Sequence, residues 1–280
     1  MYRVDTQPTG VSMDKQTTNR TPMKTALLID GDIIAYKHAA GSEVPTDWGN
    51  DLWTLHTDVA QARHQMEIDL KDLVTILKAD EIVIALSDKE NFRRRIDETY
   101  KASRKKSRKP IGLPSLRDWL EVEWDAETCA ELEADDLLGI WATDPEFLKG
   151  YRKIIVSTDK DMKTIPCNLY NPQKPDLGVQ KITLESADRF HLYQTLIGDS
   201  TDGYAGCPSI GPTRAERILD GNCSWDAVVS MFEQQGLTEE DALQQARLAK
   251  ILRSCNYNNE AGIIKHWIPN ENHSVKREET

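Results

Sequence analysis

The chain has 280 residues, 39% hydrophobic and 29% charged, with a formal net charge of −11. That length holds a substantial core, as one large domain or one with a smaller companion; no apolar run is long enough to cross a bilayer or serve as a secretory signal. The cysteines (Cys129, Cys167, Cys207, Cys223, Cys255) stand singly without a CxxC pair, which offers neither a zinc site nor a disulfide framework and points to a reducing cytosol.

Residues 1–22 are polar, Thr-rich and without apolar periodicity, so they read as a disordered tail, with Met23 as an alternative start just before the first strand. Thr25–Ile29 (TALLI) is a short apolar run ending in Asp30-Gly31-Asp32, as a buried parallel strand gives. A helix starts over Ile33–Ala40. From Asp51 to Leu77, the residues Val59, Ala62, Met66, Leu70, Leu73 and Leu77 recur at steps of three and four, which predicts one long core-packing helix. Trp48 and Trp53 flank it in core or rim positions. A second strand lies within Glu81–Leu86, followed by Asp88, and a third over Lys153–Val156, followed by Asp159 and Asp161. The carboxyl ends of strands in an open parallel sheet form its ligand crevice. One Asp there is commonly a turn former; acids after all three strands, twice with a second acid two residues on, are hard to assign to turns alone.

Cys129–Trp141 (CAELEADDLLGIW) places Leu137, Leu138 and Trp141 on one side of a helix and concentrates Glu133, Asp135 and Asp136 within one turn. Carboxylates that close protonate, spread into water, or are compensated by cations. An isolated cluster is usually a solvated acidic face; the strand-end acids tilt this one toward a cation site. Between the second strand and that helix, Arg93–Lys109 carries nine Lys/Arg against two acids. Such density suits phosphates, with Phe92 and Tyr100 placed to stack on bases, although a basic run is also a common solvated surface. Pro110, Gly112 and Pro114 break the segment, and Ser115 caps a helix that turns Leu116, Trp119 and Leu120 inward.

Asn168–Gln180 is loop-rich and Thr183–Ile197 helical. GDSTDGYAG then holds Asp199 and Asp202 in a Gly-bounded turn, and GCPSIGPTRAERIL (Gly206–Leu219) runs through a Gly-Pro turn into a helix beginning near Thr213. The N–H groups of such a helix start can hold a phosphate. Ser224–Leu252 contains two more helical patterns, one capped by Thr238, and Asn270–Thr280 is a polar tail.

IDGD, the SD…FR…YKxxR stretch, ELEADD, STDKD, and GDSTDG followed by GCPSIGPTRA occur in the order found in the flap-endonuclease/5′-to-3′ exonuclease superfamily. The chain resembles that superfamily, its short-tailed phage members above all, from Lys24 to Pro269. The resemblance implies an α/β fold: a central, mainly parallel sheet flanked by helices, with a C-terminal helical, helix-turn-helix-type DNA-binding region. Residues 23–198 would form the nuclease domain, with a basic helical gateway near 91–115, and residues 199–269 the duplex-binding region. Also implied is a basin for two Mg²⁺ ions, with Mn²⁺ as a substitute, ligated by Asp30, Asp88, Glu133, Asp135, Asp136, Asp159, Asp161, Asp199 and Asp202. Hard oxygen donors suit such ions. Asp32 lies outside the family pattern and is assigned at most an outer position.

By the same resemblance, Lys101 and Arg104 contact the scissile phosphate and Tyr100 stacks on the terminal base. Arg93, Lys105 and Lys106 line the DNA path; Gly206, Gly211, Thr213 and Arg214 grip the duplex, with K⁺ held by loop carbonyls. The chain departs from many relatives in carrying Gly203 for Asn and Thr213-Arg214 where a Lys is usual. The implied activity is Mg²⁺-dependent 5′-to-3′ hydrolysis of duplex DNA to 5′-phosphorylated mono- or short oligonucleotides, with flap and RNA–DNA hybrid cleavage. The expected setting is a monomer in the bacterial host cytoplasm, working on 5′ ends, flaps and RNA primers beside replication proteins and away from membranes. Two rivals are weighed against it. A haloacid-dehalogenase-type phosphatase would use IDGD and STDKD but leave YKxxR and GDSTDG without roles; a non-catalytic DNA-structure-binding protein would use the acids only structurally.

Overall fold

A computed structural model describes residues 23–269, apart from the side chains of Lys105 and Lys106. The expected tails at 1–22 and 270–280 lie outside the described residues. The chain opens with β1 (Lys24–Asp30) and α1 (Gly31–Gly41), a hairpin of β2 (Glu43–Asp47) and β3 (Trp53–Thr57), then α2 (Val59–Leu77) and β4 (Glu81–Leu86). A short α3 (Arg93–Ile96) and a 3-10 turn over Ala102–Lys106 precede α4 (Leu113–Glu123), β5 (Glu127–Thr128), α5 (Ala134–Thr143), β6 (Tyr151–Val156), β7 (Asn168–Tyr170) and β8 (Gln180–Lys181). Then follow α6 (Leu184–Ile197), α7 (Pro212–Gly221), α8 (Trp225–Gln234), α9 (Glu239–Ala249) and a small hairpin of β9 (Tyr257–Asn258) and β10 (Ile263–Ile264).

The main sheet runs β5-β4-β1-β6-β7-β8 and is parallel except for β8. Central β1 is covered on both faces, which is why its sequence is continuously apolar. Successive side chains alternate: Leu27 and Ile29 pack with Met66, Leu70, Leu116 and Leu120 of α2 and α4, while Leu28 packs with Leu137 and Leu138 of α5. After β1 the chain builds β4 and β5 on one side and β6 on the other. The strand order therefore reverses beside β1, and the crevice of the sheet opens where Asp30 and the Ser157–Asp161 segment end their strands.

A third cluster joins α6 to α9 through Leu192, Leu196, Ala215, Trp225, Phe232, Ala246 and Trp267. It begins with α6, before the expected boundary at residue 199. After α9 the chain returns to the sheet body, where Ile251 and Leu252 pack beneath α5. Gly139 permits this, since a Cβ there would lie 2.2 Å from the Leu252 carbonyl oxygen.

Several expectations are corrected. The helix read over Asp51–Leu77 starts only at Val59, capped by Asp58, because Trp53–Thr57 pairs antiparallel with Glu43–Asp47. Trp48 and Trp53 sit on that hairpin at 65% and 60% exposure, not in the core. Ser115 is no cap: the helix begins at Leu113 after Gly112, with Pro114 in its first turn. The loop-rich Asn168–Gln180 contains β7 and the start of β8. The acidic helix begins at Ala134, so Glu133 is its N-cap and Asp136 closes a capping box.

Candidate active site

At the crevice, Asp30 is buried at the end of β1 and accepts a hydrogen bond from Ser157 Oγ at 3.0 Å. Ser157 Oγ also accepts from the Asp159 N–H at 3.1 Å, so one serine links the ends of β1 and β6. Asp159 Oδ1 accepts from the Asp161 N–H at 2.8 Å, and Asp161 Oδ1 accepts from Gln194 Nε2 of α6 at 2.6 Å. The loop after α6 brings in Asp199 and Asp202. It closes on itself through Gly198 and Gly206, both at positive φ; a Cβ on Gly206 would meet the Gly198 nitrogen at 2.3 Å. Beside it, a cavity of about 460 Å³ is lined by Lys160, Asp199, Thr201, Gly203 and Tyr204.

The basic segment forms the lip. Lys101 takes a left-handed backbone conformation, φ 54°, and its N–H donates to the Asp202 carbonyl at 2.7 Å. Its Nζ lies 2.5 Å from Glu133 Oε1 and 3.5 Å from an Asp202 carboxylate oxygen. Arg104, half exposed, pairs with the other Asp202 oxygen at 2.5 Å. Lys160 pairs with Asp199 at 2.9 Å. Sequence reasoning passed over Lys160, Ser157 and Gln194; the signal for the first two was their place inside the STDKD motif itself.

The electrostatics divide these acids. Burial pushes the Asp30 carboxyl up to about 6, with Asp159 adding to the effect. Burial and nearby Asp159 raise Asp161 to about 7. Asp135 is also driven well up, by burial and then by Glu133. Glu133 goes the other way: against its burial, Lys101 and Arg93 hold it down at about 2. Asp199 is likewise lowered against its burial, chiefly by Lys160. Negative charge gathered at the switch point thus exceeds what Lys101, Arg104 and Lys160 neutralise. An all-carboxylate donor set with this surplus fits hard divalent cations. Among the described residues no three acidic, His or Cys side chains converge tightly enough to hold an ion as they stand, part of the group being held by protein cations.

Four assignments are corrected. Asp136 is no basin group: it is fully buried, and its oxygens accept from Arg93 at 2.7 and 2.8 Å, from the Leu252 N–H at 3.0 Å and from the Glu133 N–H at 3.3 Å. Arg93 cannot line a DNA path, being 2% exposed and committed to Asp136, Glu133 and the carbonyls of Leu248 and Lys250. Tyr100 is 3% exposed, so its ring offers no face to a base; its hydroxyl donates to Glu133 at 3.1 Å and Asp202 at 3.3 Å. Gly206 is buried and donates its N–H to Gln245 Oε1, leaving nothing for a phosphate.

Asp88 stays at the strand end, but its oxygens accept from the N–H groups of Lys89 and Glu131, and the Glu131 bond lowers its pKa first of all. Asp32 is taken up by Arg117 and the Ser87 N–H. Gly211, Thr213 and Arg214 are exposed at the start of α7, as a duplex contact requires. The side chains of Lys105 and Lys106 lie outside the described residues.

Residues 25–175 match the model of the 5′-3′ exonuclease N-terminal resolvase-like domain. The chain is 31% identical over 287 residues to the exodeoxyribonuclease of Enterobacteria phage T3, covering 88% of this chain and 93% of that protein. It is 32% identical over 285 residues to the exonuclease of Escherichia phage T7, covering 88% and 94%. Among solved structures, the bacteriophage T5 D15 flap endonuclease, a pseudo-enzyme–product complex with DNA and metal ions, superposes with a TM-score of 0.62 at 14% identity, covering 81% of this chain and 89% of that one. The fold is therefore shared.

Proposed function

The chain belongs to the family of 5′-3′ exonucleases and is a nuclease, and we propose that it hydrolyses phosphodiesters of duplex DNA from 5′ ends with the help of two divalent cations, Mg²⁺ or Mn²⁺. The observation that carries this reading is the surplus of carboxylates at the sheet switch point under a lip of cations. Asp30, Asp135, Asp159, Asp161, Asp199 and Asp202 would hold the ions together with Glu133, and Asp88 stands at the rim. Divalent cations bound there supply Lewis acidity toward the phosphodiester and a more acidic water.

The protein's own groups do the positioning. Arg104 and Lys101, paired at the lip with Asp202 and Glu133, would draw a phosphate toward the carboxylates, Arg104 from solvent and Lys101 from within. Tyr100, its phenol driven well above its ordinary pKa by burial, stays protonated and fixes Glu133 against Asp202. Gly211, Thr213 and Arg214 at the start of α7 would contact duplex phosphates, with a K⁺ ion as an accompanying ligand. The reading extends to flap cleavage, for which flap-endonuclease relatives speak, and to RNA–DNA hybrids, primers and replication proteins as partners of a monomer in a bacterial host cytoplasm. No helix among the described residues is long and apolar enough to cross a membrane.

A linear duplex labelled at the 5′ end of one strand and the 3′ end of the other tests the reading. Rapid Mg²⁺-dependent release of the 5′ label as small product is expected, with slow loss of the 3′ label and none in EDTA. Retention of both labels, together with hydrolysis of p-nitrophenyl phosphate, would instead indicate a phosphatase. Binding of branched DNA without turnover would indicate a purely structural binder.

A further inference from the structure

Gln194 lies in the last full turn of α6, 2% exposed, between two segments that carry carboxylates. Its Nε2 donates to Asp161 Oδ1 at 2.6 Å. Its backbone carbonyl accepts from the Gly198 N–H at 2.8 Å, which fixes the residue where the Asp199–Asp202 loop departs. That loop has little freedom of its own, because Gly198 and Gly206 approach backbone to backbone. One side chain and its own main chain therefore set Asp161 relative to Asp199 and Asp202. No described side chain or backbone group donates to Gln194 Oε1, so among the described residues the Asp161 bond is the hydrogen bond that orients the amide.

We propose that Gln194 is a positioning residue for the metal basin, fixing the Asp161 carboxylate by a neutral hydrogen bond so that its charge stays available to a divalent cation. The inference rests on the metal-dependent reading above. The residue type is what the task needs. A Lys or Arg at this position would pair with Asp161 and neutralise it, as Lys160 does with Asp199. A Leu would fill the space but leave the carboxylate free to rotate. An amide orients without cancelling charge, and partners of this kind are worth about 10- to 100-fold in metal affinity.

Calorimetric titration of Mn²⁺ into DNA-free protein tests the proposal, alongside thermal unfolding in EDTA. Gln194→Leu is expected to weaken Mn²⁺ uptake by about 10- to 100-fold while its unfolding midpoint in EDTA stays close to that of the wild type. Gln194→Lys is expected to lose Mn²⁺ uptake and unfold in EDTA at or above the wild-type midpoint, since it supplies the charge the basin lacks. Wild-type Mn²⁺ affinity in either folded variant overturns the role of Gln194. If Gln194→Leu does not fold, Gln194→Lys alone decides the question. Wild-type protein that takes up no Mn²⁺ overturns the metal reading itself, a result distinct from failure of the variants.

Discussion

Asp135 and Asp136 are neighbours in the chain, and the start of α5 sends them into opposite surroundings. Asp136 points into the protein, where a bidentate guanidinium and two backbone N–H groups satisfy it. Asp135 faces the basin, where Glu133 and Asp30 oppose its charge and burial drives its pKa well up. One carboxylate is part of the architecture, and the other is one that the proposed metal site would use. The difference lies in the partners, and with Arg93 forty-three residues from Asp136, no local pattern announces them.

Substitution should separate the two most sharply in catalysis. Asp135→Asn is expected to cut Mg²⁺-dependent cleavage by on the order of 10³-fold, with little loss of stability. Equal cleavage by this variant would break the contrast. Asp136→Asn leaves Arg93 buried beside an uncharged partner and is expected to lose about 3–5 kcal/mol in urea unfolding. Exchanging both members for apolar residues, Arg93→Met with Asp136→Leu, should recover part of that loss, since a buried pair is costly mainly when halved.

The basin should also respond to pH. Asp30 and Asp161 bind protons more tightly in the folded protein, at about 6 and about 7, than at the 3.8 of an ordinary aspartate. Their contribution to stability is present at pH values below 3.8 and is lost as pH rises through about 6 and then about 7. Metal-free protein should therefore lose on the order of a few kcal/mol across that window, and Mg²⁺ should remove the slope at its upper end. Urea midpoints with Mg²⁺ and with EDTA measure this. The smallest effect is expected from Tyr100→Phe. Loss of its hydroxyl should slow cleavage by about fivefold, equivalent to roughly 1 kcal/mol, without weakening duplex binding in Ca²⁺. A change in binding with the rate unaltered would restore the stacking role that burial argues against.

The parallel strands and the acids at their ends were legible because both signals are local: a continuous apolar run, then an Asp. TALLI and KIIV each correspond to a central strand of the sheet. The α2 stripe from Ala62 to Leu73 was legible by its period alone, but its start was not, because the antiparallel pairing of Trp53–Thr57 with Glu43–Asp47 overrides the helical spacing before Val59. The roles of Arg93, Tyr100 and Gly206 were misassigned for one reason. Each occurs in a segment that the family resemblance assigns to DNA contact, yet each makes long-range bonds that hold the segment in place. Gln194 carried no signal beyond being a polar residue in the more buried half of a helix.

Residues 251 and 252 set an order on the making of this protein. They sit under α5, the Leu252 N–H caps Asp136, and Gly139 is left bare to admit the Leu252 carbonyl. Every strand of the main sheet has been synthesised by Lys181, yet one of its faces stays incomplete until about seventy further residues have left the ribosome. Arg93, held by Asp136 and by the carbonyls of Leu248 and Lys250, is therefore secured late, after every basin acid and the helices that would grip a duplex have been made. A nascent chain halted in α7 or α8 would display an apolar face beneath α5 and hold no finished active site.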